Sequence, residues 1–241
     1  MYLLIDSGNT KDKIAFVEND KIIKSFIYDK LSVGMLQKIL KNIKIEKSIF
    51  CSVTNNKNIN YFLDSKFNNC TLNHNTKTKI INNYSSKNSL GADRIALVSG
   101  AKEIYPSDDI VVIDIGTCIT YDFVNNKYEY FGGMISPGYE LRLNVLHEKT
   151  SIQFSGVMPK KMNLNIISNN SENCVHSGIY FGILSEINGI FHLYNQNFKN
   201  LKFIFTGGNY NYFKNHLKFS HIFDENLIFK GLNSILKFNE G

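Results

Sequence analysis

Apolar residues at the start of the chain fall in short runs that alternate with polar ones. Tyr2 to Asp6, Lys13 to Val17 and Lys21 to Tyr28 predict three strands joined by tight connections, with Glu18-Asn19-Asp20 as a polar hairpin turn. Consecutive strands this close pair antiparallel. From Leu31 the period changes: Leu31, Met35, Ile39 and Ile43 recur at helical spacing, predicting a helix over 31–43. Ser48 to Val53 returns to a strand and Asn58 to Phe67 predicts a second helix, so the order is βββαβα. Ala92 to Tyr105 predicts the next helix, closed by Pro106. Ile110 to Ile115, Thr120 to Val124 and Tyr128 to Gly132 then repeat the three-strand opening. Gly138 to His147 and Cys174 to Tyr194 predict helices, Phe203 to Phe205 a buried strand, and Asn226 to Phe238 a closing helix. Thr150 to Asn170 is polar and irregular and is expected to be a loop at a partner surface.

The repetition extends to chemistry. Asp6-Ser-Gly8-Asn9-Thr10 at the end of the first apolar run returns, shortened, as Asp114-Ile-Gly116-Thr117 at the end of another. Glycine in such a turn lets backbone N–H groups approach an anion. Asn9, Thr10 and Thr117 can add side-chain hydrogen bonds to phosphate oxygens, and each Asp can hold a cation directly or through water. Two such turns facing each other would clamp a nucleoside triphosphate and its magnesium. A hairpin rich in turn formers is the plainer reading of the first turn, but the duplication and the downstream Lys13 favour phosphate handling.

With 241 residues and 43% hydrophobic content, the chain is long and apolar enough to bury a core. No apolar segment approaches the roughly 20 residues that cross a bilayer, and the N-terminus runs straight into a strand, so a cytoplasmic location is expected and no membrane contact. Cys51, Cys70, Cys118 and Cys174 are scattered without metal-binding spacing and read as free, mostly buried thiols. The net charge of +6 comes from dispersed lysines, which read as solvated surface and not as a nucleic-acid patch. Arginine occurs only at Arg94 and Arg142, where a planar guanidinium can grip a carboxylate or phosphate bidentately as an ammonium cannot. The absence of a Gly-x-x-x-x-Gly-Lys-Ser/Thr sequence argues against a P-loop kinase.

A duplicated βββαβα core with an Asp-containing turn in each half resembles the superfamily of actin, hexokinase and the sugar and acetate kinases. The more specific resemblance is to the type III pantothenate kinases. It is carried by Asp6-Ser-Gly-Asn-Thr-Lys-Asp-Lys13, Gly91-Ala-Asp-Arg94, Asp114-Ile-Gly-Thr117 with Thr120 and Asp122, Gly132-Gly-Met-Ile-Ser-Pro-Gly138, and Thr206-Gly-Gly208, in family order over most of the chain. The resemblance implies an α/β protein of two tandem ribonuclease H-like, actin-like ATPase domains with an ATP cleft between them. The domains are expected at residues 1–107 and 108–241, with the last helix packing back on the N-terminal one.

What the resemblance implies for the site is equally specific. Asp6, Ser7, Gly8, Asn9, Thr10, Lys11, Asp12 and Lys13 form the ATP phosphate loop, and Thr117 adds a further ATP contact. Asp93 is the base that orients the substrate hydroxyl and accepts its proton, although an Asp near a helix start also occurs simply to suit the helix dipole. Arg94, with Gly91 and Ala92, helps hold pantothenate, whose carboxylate suits a guanidinium. Tyr84 stands where the family places a substrate-contacting Tyr, and a half-buried structural Tyr is an equally ordinary reading. Ser171, in Asn170-Ser171, matches a pantothenate-contacting Thr, or is just the N-cap of the following helix. Asp114 corresponds to a ligand of a monovalent cation, potassium or ammonium, required beside the Mg2+ that accompanies ATP. The partners implied are ATP, pantothenate and a second copy of the chain in a homodimer. The function implied is phosphorylation of pantothenate to 4′-phosphopantothenate, the first step of coenzyme A synthesis. The alternatives are a non-catalytic transcription accessory factor of the same family, or a kinase for another small hydroxyl compound.

Overall fold

The computed structural model describes residues 1–54, 56–156, 159 and 164–239. The first sheet is built from β1 (Tyr2–Ser7), β2 (Asp12–Glu18) and β3 (Lys21–Tyr28), followed after α1 (Val33–Leu40) by β4 (Lys47–Ser52) and after α2 (Lys57–Lys66) by β5 (Asn68–Thr71). Its order is β3-β2-β1-β4-β5. Tight turns make the first three strands antiparallel, whereas the helical crossovers make β4 parallel to β1 and β5 parallel to β4. The β2–β3 hairpin is closed by Asn19 and Asp20 at φ 49° and 63°, a left-handed pair that short polar side chains tolerate. Alternate residues of the strands share a face, so Leu3, Ile5, Ile14, Phe16 and Phe50 meet Leu36 of α1 and Ile59 and Leu63 of α2 in one buried cluster.

Further along come β6 (Ile81–Asn82), α3 (Ala92–Ile104), β7 (Ile110–Ile115), β8 (Cys118–Val124), β9 (Glu129–Pro137), α4 (Tyr139–Lys149), α5 (Ser171–Asn197), β10 (Lys202–Thr206), α6 (Tyr210–Phe213), β11 (Ile222–Phe223) and α7 (Leu227–Phe238). The second sheet has the order β11-β10-β7-β8-β9-β6. Its run β9-β8-β7-β10-β11 reproduces β3-β2-β1-β4-β5 strand for strand, and β10 is parallel to β7 as β4 is to β1. The duplication expected from the sequence is therefore present in the topology.

The chain forms two compact units, one of residues 1–108, 122–132 and 226–241, the other of 109–121 and 133–225. In the first, α7 packs on α3, β1 and β4. The α3–α7 crossing is close enough that a Cβ on Gly100 would stand 2.9 Å from the Gly231 amide nitrogen. Of 150–170, residues 157, 158 and 160–163 lie outside the described residues, and the others are irregular. Among the described residues no helix is long and apolar enough to cross a membrane.

Several boundaries differ from expectation for local reasons. Helix α1 starts at Val33 because Ser32 caps it, accepting from Met35 N at 3.2 Å, and it stops before Asn42, which sits at φ 70°. Helix α5 extends beyond both ends of the predicted 174–194. Of the four thiols, Cys51 is buried, Cys70 and Cys118 are partly exposed and Cys174 is exposed, so they are not mostly buried.

Candidate active site

In the first unit, β1 delivers Asp6 and Ser7 to the turn, with Lys13 and Asp12 as their partners on β2. Gly8 N donates to Lys11 O at 3.1 Å, closing the turn, and Asn9, Thr10 and Lys11 are exposed. Lys11 pairs with Asp29 at the surface. Asp12 points inward. Its fully buried carboxylate accepts from Ser7 Oγ at 2.9 Å and Leu31 N at 2.6 Å, while Lys30 Nζ donates to Gly8 O at 2.7 Å. Ser7 and Asp12 thus hold the turn's shape from beneath it. Lys13 Nζ lies 3.6 Å from Asp6 Oδ2. Burial raises the Asp6 carboxyl above the usual range, against the opposing pull of Lys13.

Two features tie this turn to the start of α3. Cys51, the β4 partner of Asp6, has its thiol pushed up first by burial and then by the charges of Asp6 and Asp93, so both carboxylates act on one sulfur. Val53 N donates to Ser7 O at 3.2 Å, and a Cβ on Gly91 would touch the Val53 side chain at 3.8 Å. Gly91 is the N-cap of α3 and supplies no side-chain cap. Asp93, half-buried in the first turn, accepts from its neighbour Arg94 N at 2.9 Å; its charge is favoured there by the helix dipole. The start of α3, which carries Asp93, thus packs beside the turn that carries Asp6 and Lys13 within this unit.

Arg94 is 5% exposed. Its Nε donates to Asp122 Oδ1 at 2.8 Å and its Nη2 lies 2.7 Å from the same oxygen, which also accepts from Tyr130 OH at 2.6 Å. Burial works against the guanidinium charge, but Asp122, helped by Tyr130 and Tyr84, offsets it and raises the pKa. The guanidinium lies 5.9 Å from the centre of the Tyr84 ring, which stacks on Tyr130 with centroids 6.4 Å apart. Tyr84 also presses on Gly132, where a Cβ would come within 2.8 Å of the ring. The expected site residues Tyr84 and Arg94 are thus brought together, and Arg94 is committed to a buried carboxylate of its own unit. Asp122 stood in the motif with no role assigned, and Tyr130 and Lys30 carried no signal at all; contacts 28 and 22 residues apart in sequence are invisible to spacing.

In the second unit, Asp114 lies near the end of β7 beside Thr206 of β10. Gly207 follows at φ 98°, and a Cβ there would come within 2.5 Å of Ile115 O and collide with Asp114 Oδ1. Gly116 N donates to Cys118 O at 3.0 Å, and Gly138 N donates to Thr117 O at 2.9 Å. Asn209 donates its amide N–H to Ile115 O at 3.0 Å and its side chain to Glu140 at 2.9 Å. Thr117 and Asp114 therefore sit in a turn bounded by backbone. Ser171 opens α5 and is exposed. The cap is Asn170, which accepts from Asn173 N at 2.9 Å, so the capping alternative for Ser171 falls away.

Residues 2–193 match the family model of the type III pantothenate kinases. The chain belongs to the type III pantothenate kinase family. It is 36% identical to the type III pantothenate kinase of Christiangramia forsetii and 32% identical to that of Bacteroides fragilis, in each case over 100% of this chain and 99% of the relative. Among solved structures it is similar to a Baf family transcriptional activator from Campylobacter jejuni (TM-score 0.62, 24% identity, 98% of each chain). It is also similar to the activator of 2-hydroxyisocaproyl-CoA dehydratase from Clostridium difficile with bound ADPNP (TM-score 0.53, 11% identity, covering 99% of this chain and 96% of that one). These likenesses establish the α/β fold of the actin-like ATPases for this pantothenate kinase family member.

Proposed function

We propose that the chain transfers the γ-phosphoryl group of ATP to pantothenate, giving 4′-phosphopantothenate in the first step of coenzyme A synthesis. The observation that carries this reading is the Asp6–Lys13 pair with the start of α3, Asp93 in its first turn, packed beside the same turn through Val53, in a family member that covers 99% of a relative's length. Phosphoryl transfer through a loose transition state asks the protein for position and charge, and for a carboxylate to take the hydroxyl proton. Asp93 orients that hydroxyl and accepts the proton. Lys13, Asn9, Thr10 and the Gly8 backbone take phosphate oxygens, with Lys11 at the rim and Ser7 and Asp12 shaping the turn. Thr117 of the second unit adds an ATP contact.

Asp6 is the residue that would hold the magnesium accompanying ATP, a cation that would supply charge neutralisation to the phosphates. Its fit is physical: a carboxyl that burial pushes toward the protonated form gains most from a nearby cation. Asp114 would hold a monovalent cation, potassium or ammonium. For pantothenate, Tyr84, Gly91, Ala92 and Ser171 are the proposed contacts. Arg94, already fixed by Asp122, orients Tyr84 and the α3 start and presents its remaining N–H groups to the substrate carboxylate. A homodimer in the cytoplasm, with 1–107 and 108–241 as its actin-like halves, completes the proposal.

The test is mass-spectrometric detection of 4′-phosphopantothenate from ATP, magnesium and pantothenate, with other small hydroxy acids as competitors. Product from pantothenate in preference to the competitors is expected. Folded protein that binds ATP and yields none would contradict the proposal.

A further inference from the structure

Arg142 and Glu186 take no part in the contacts proposed for catalysis, yet they meet inside the second unit. Glu186 on α5 gathers three donors: Tyr121 OH of β8 at 2.8 Å, Ser136 Oγ of β9, and Arg142 Nη2 of α4. Arg142 also donates Nε to Pro137 O at 2.8 Å. The two charged side chains are 24% and 23% exposed, so water screens the pair only in part. A charged carboxylate with three donors from three elements is a junction, not a surface ion pair.

The junction grips Ser136 and Pro137, the last residues of β9, and the next residue is Gly138. Its N–H donates to Thr117 O at 2.9 Å, and a Cβ on it would stand 2.6 Å from that same oxygen. With backbone packed against backbone there is no slack, so where β9 ends determines where the Gly116–Thr117 turn lies. We infer that the Arg142–Glu186 clasp is a positioning device for the nucleotide turn, setting ATP affinity through Pro137 and Gly138 without touching ATP. This rests on the ATP contact proposed for Thr117. It also accounts for arginine at 142 in a chain that otherwise uses lysine: only the planar fork serves the Pro137 carbonyl and the Glu186 carboxylate together.

The experiment compares wild type with Arg142→Lys and Glu186→Gln, reading the Kd of a non-hydrolysable ATP analogue by calorimetry, the KM for each substrate, and the melting temperature. Both variants should raise the analogue's Kd roughly three- to tenfold, the scale of one weakened charge-assisted hydrogen bond. The KM for pantothenate should hold steady, and the double variant should be no worse than the weaker single one, because the pair acts as a unit. Folded variants that bind the analogue as wild type does would overturn the inference, as would parallel rises in both KM values, which mark general loosening. If wild type binds the analogue but phosphorylates no pantothenate, the proposed function fails while the clasp is still tested by the binding data. Failure of wild type to bind the analogue overturns the clasp as well.

Discussion

The Asp6 turn and the Asp114 turn occupy equivalent places in two sheets of the same strand order, and they are built for different work. At the first, a buried carboxyl is set beside a lysine, and a second carboxylate, Asp93, acts on the same neighbouring thiol. The surroundings are side chains with charge. At the second, Asp114 is walled by Gly207 and the Ile115 carbonyl, while Thr117 is pinned through its own carbonyl by Gly138. Backbone of Gly207, Ile115 and Gly138 packs close around that turn. Duplication has thus kept the scaffold, with a lysine set beside the carboxyl of the first turn and backbone in close steric fit at the second. Deleting the carboxylate beside the first turn should therefore cost chemistry, and adding a methyl group at the second should cost fit.

Asp93→Asn puts the largest effect on that contrast. It keeps the shape and deletes the base, so kcat should fall by about 10²- to 10⁴-fold with ATP binding nearly intact. Steady-state kinetics beside calorimetric ATP titration would check it, and full activity would remove Asp93 from the chemistry. Next in size is Gly207→Ala. A Cβ at φ 98° against the Ile115 carbonyl should cost about 2 to 3 kcal/mol of stability and weaken ATP binding, measured by denaturant unfolding and nucleotide titration. An unchanged unfolding midpoint would mean that the second turn has room to spare.

The smallest effect on stability has the opposite sign. Asp6 holds its proton to higher pH in the folded chain than in the unfolded one, because burial raises its pKa. Its contribution to stability is fully present below the ordinary carboxylate pKa and is lost as pH rises through the folded value. At neutral pH the ionised group therefore opposes folding. Asp6→Asn should raise stability by about 1 kcal/mol, flatten the stability profile across that acid window, and abolish turnover. Loss of both stability and activity at neutral pH would show that the Lys13 pair outweighs burial.

Much of this scaffold was legible along the chain, and the exceptions are instructive. The strands β1, β2, β4, β7 and β10 announce themselves because their apolar residues have no other place to go, whereas β3, with Ile23 and Ile27 exposed, is betrayed by its polar hairpin turn from β2. Strand β5 is Asn-Asn-Cys-Thr, with no apolar period, and exists because β4 offers an edge to pair with. Strands β6 and β11 are two residues each and are likewise defined by their neighbours. In the site, turn residues and the helix-start carboxylate could be read from type and spacing. The commitment of Arg94 and Tyr130 to Asp122, and of Arg142 to Glu186, could not, because it depends on which faces the fold brings together. Arginine's scarcity flagged both positions without saying what they bind.

The most direct test of the division between the turns is the initial rate of ATP-dependent phosphorylation of pantothenate in potassium against sodium buffer, for wild type and Asp114→Asn. The account predicts potassium-dependent turnover in the wild type and loss of that dependence in Asp114→Asn, placing the monovalent cation at the second turn. Equal rates in both salts, or the same potassium activation in the variant, would contradict it.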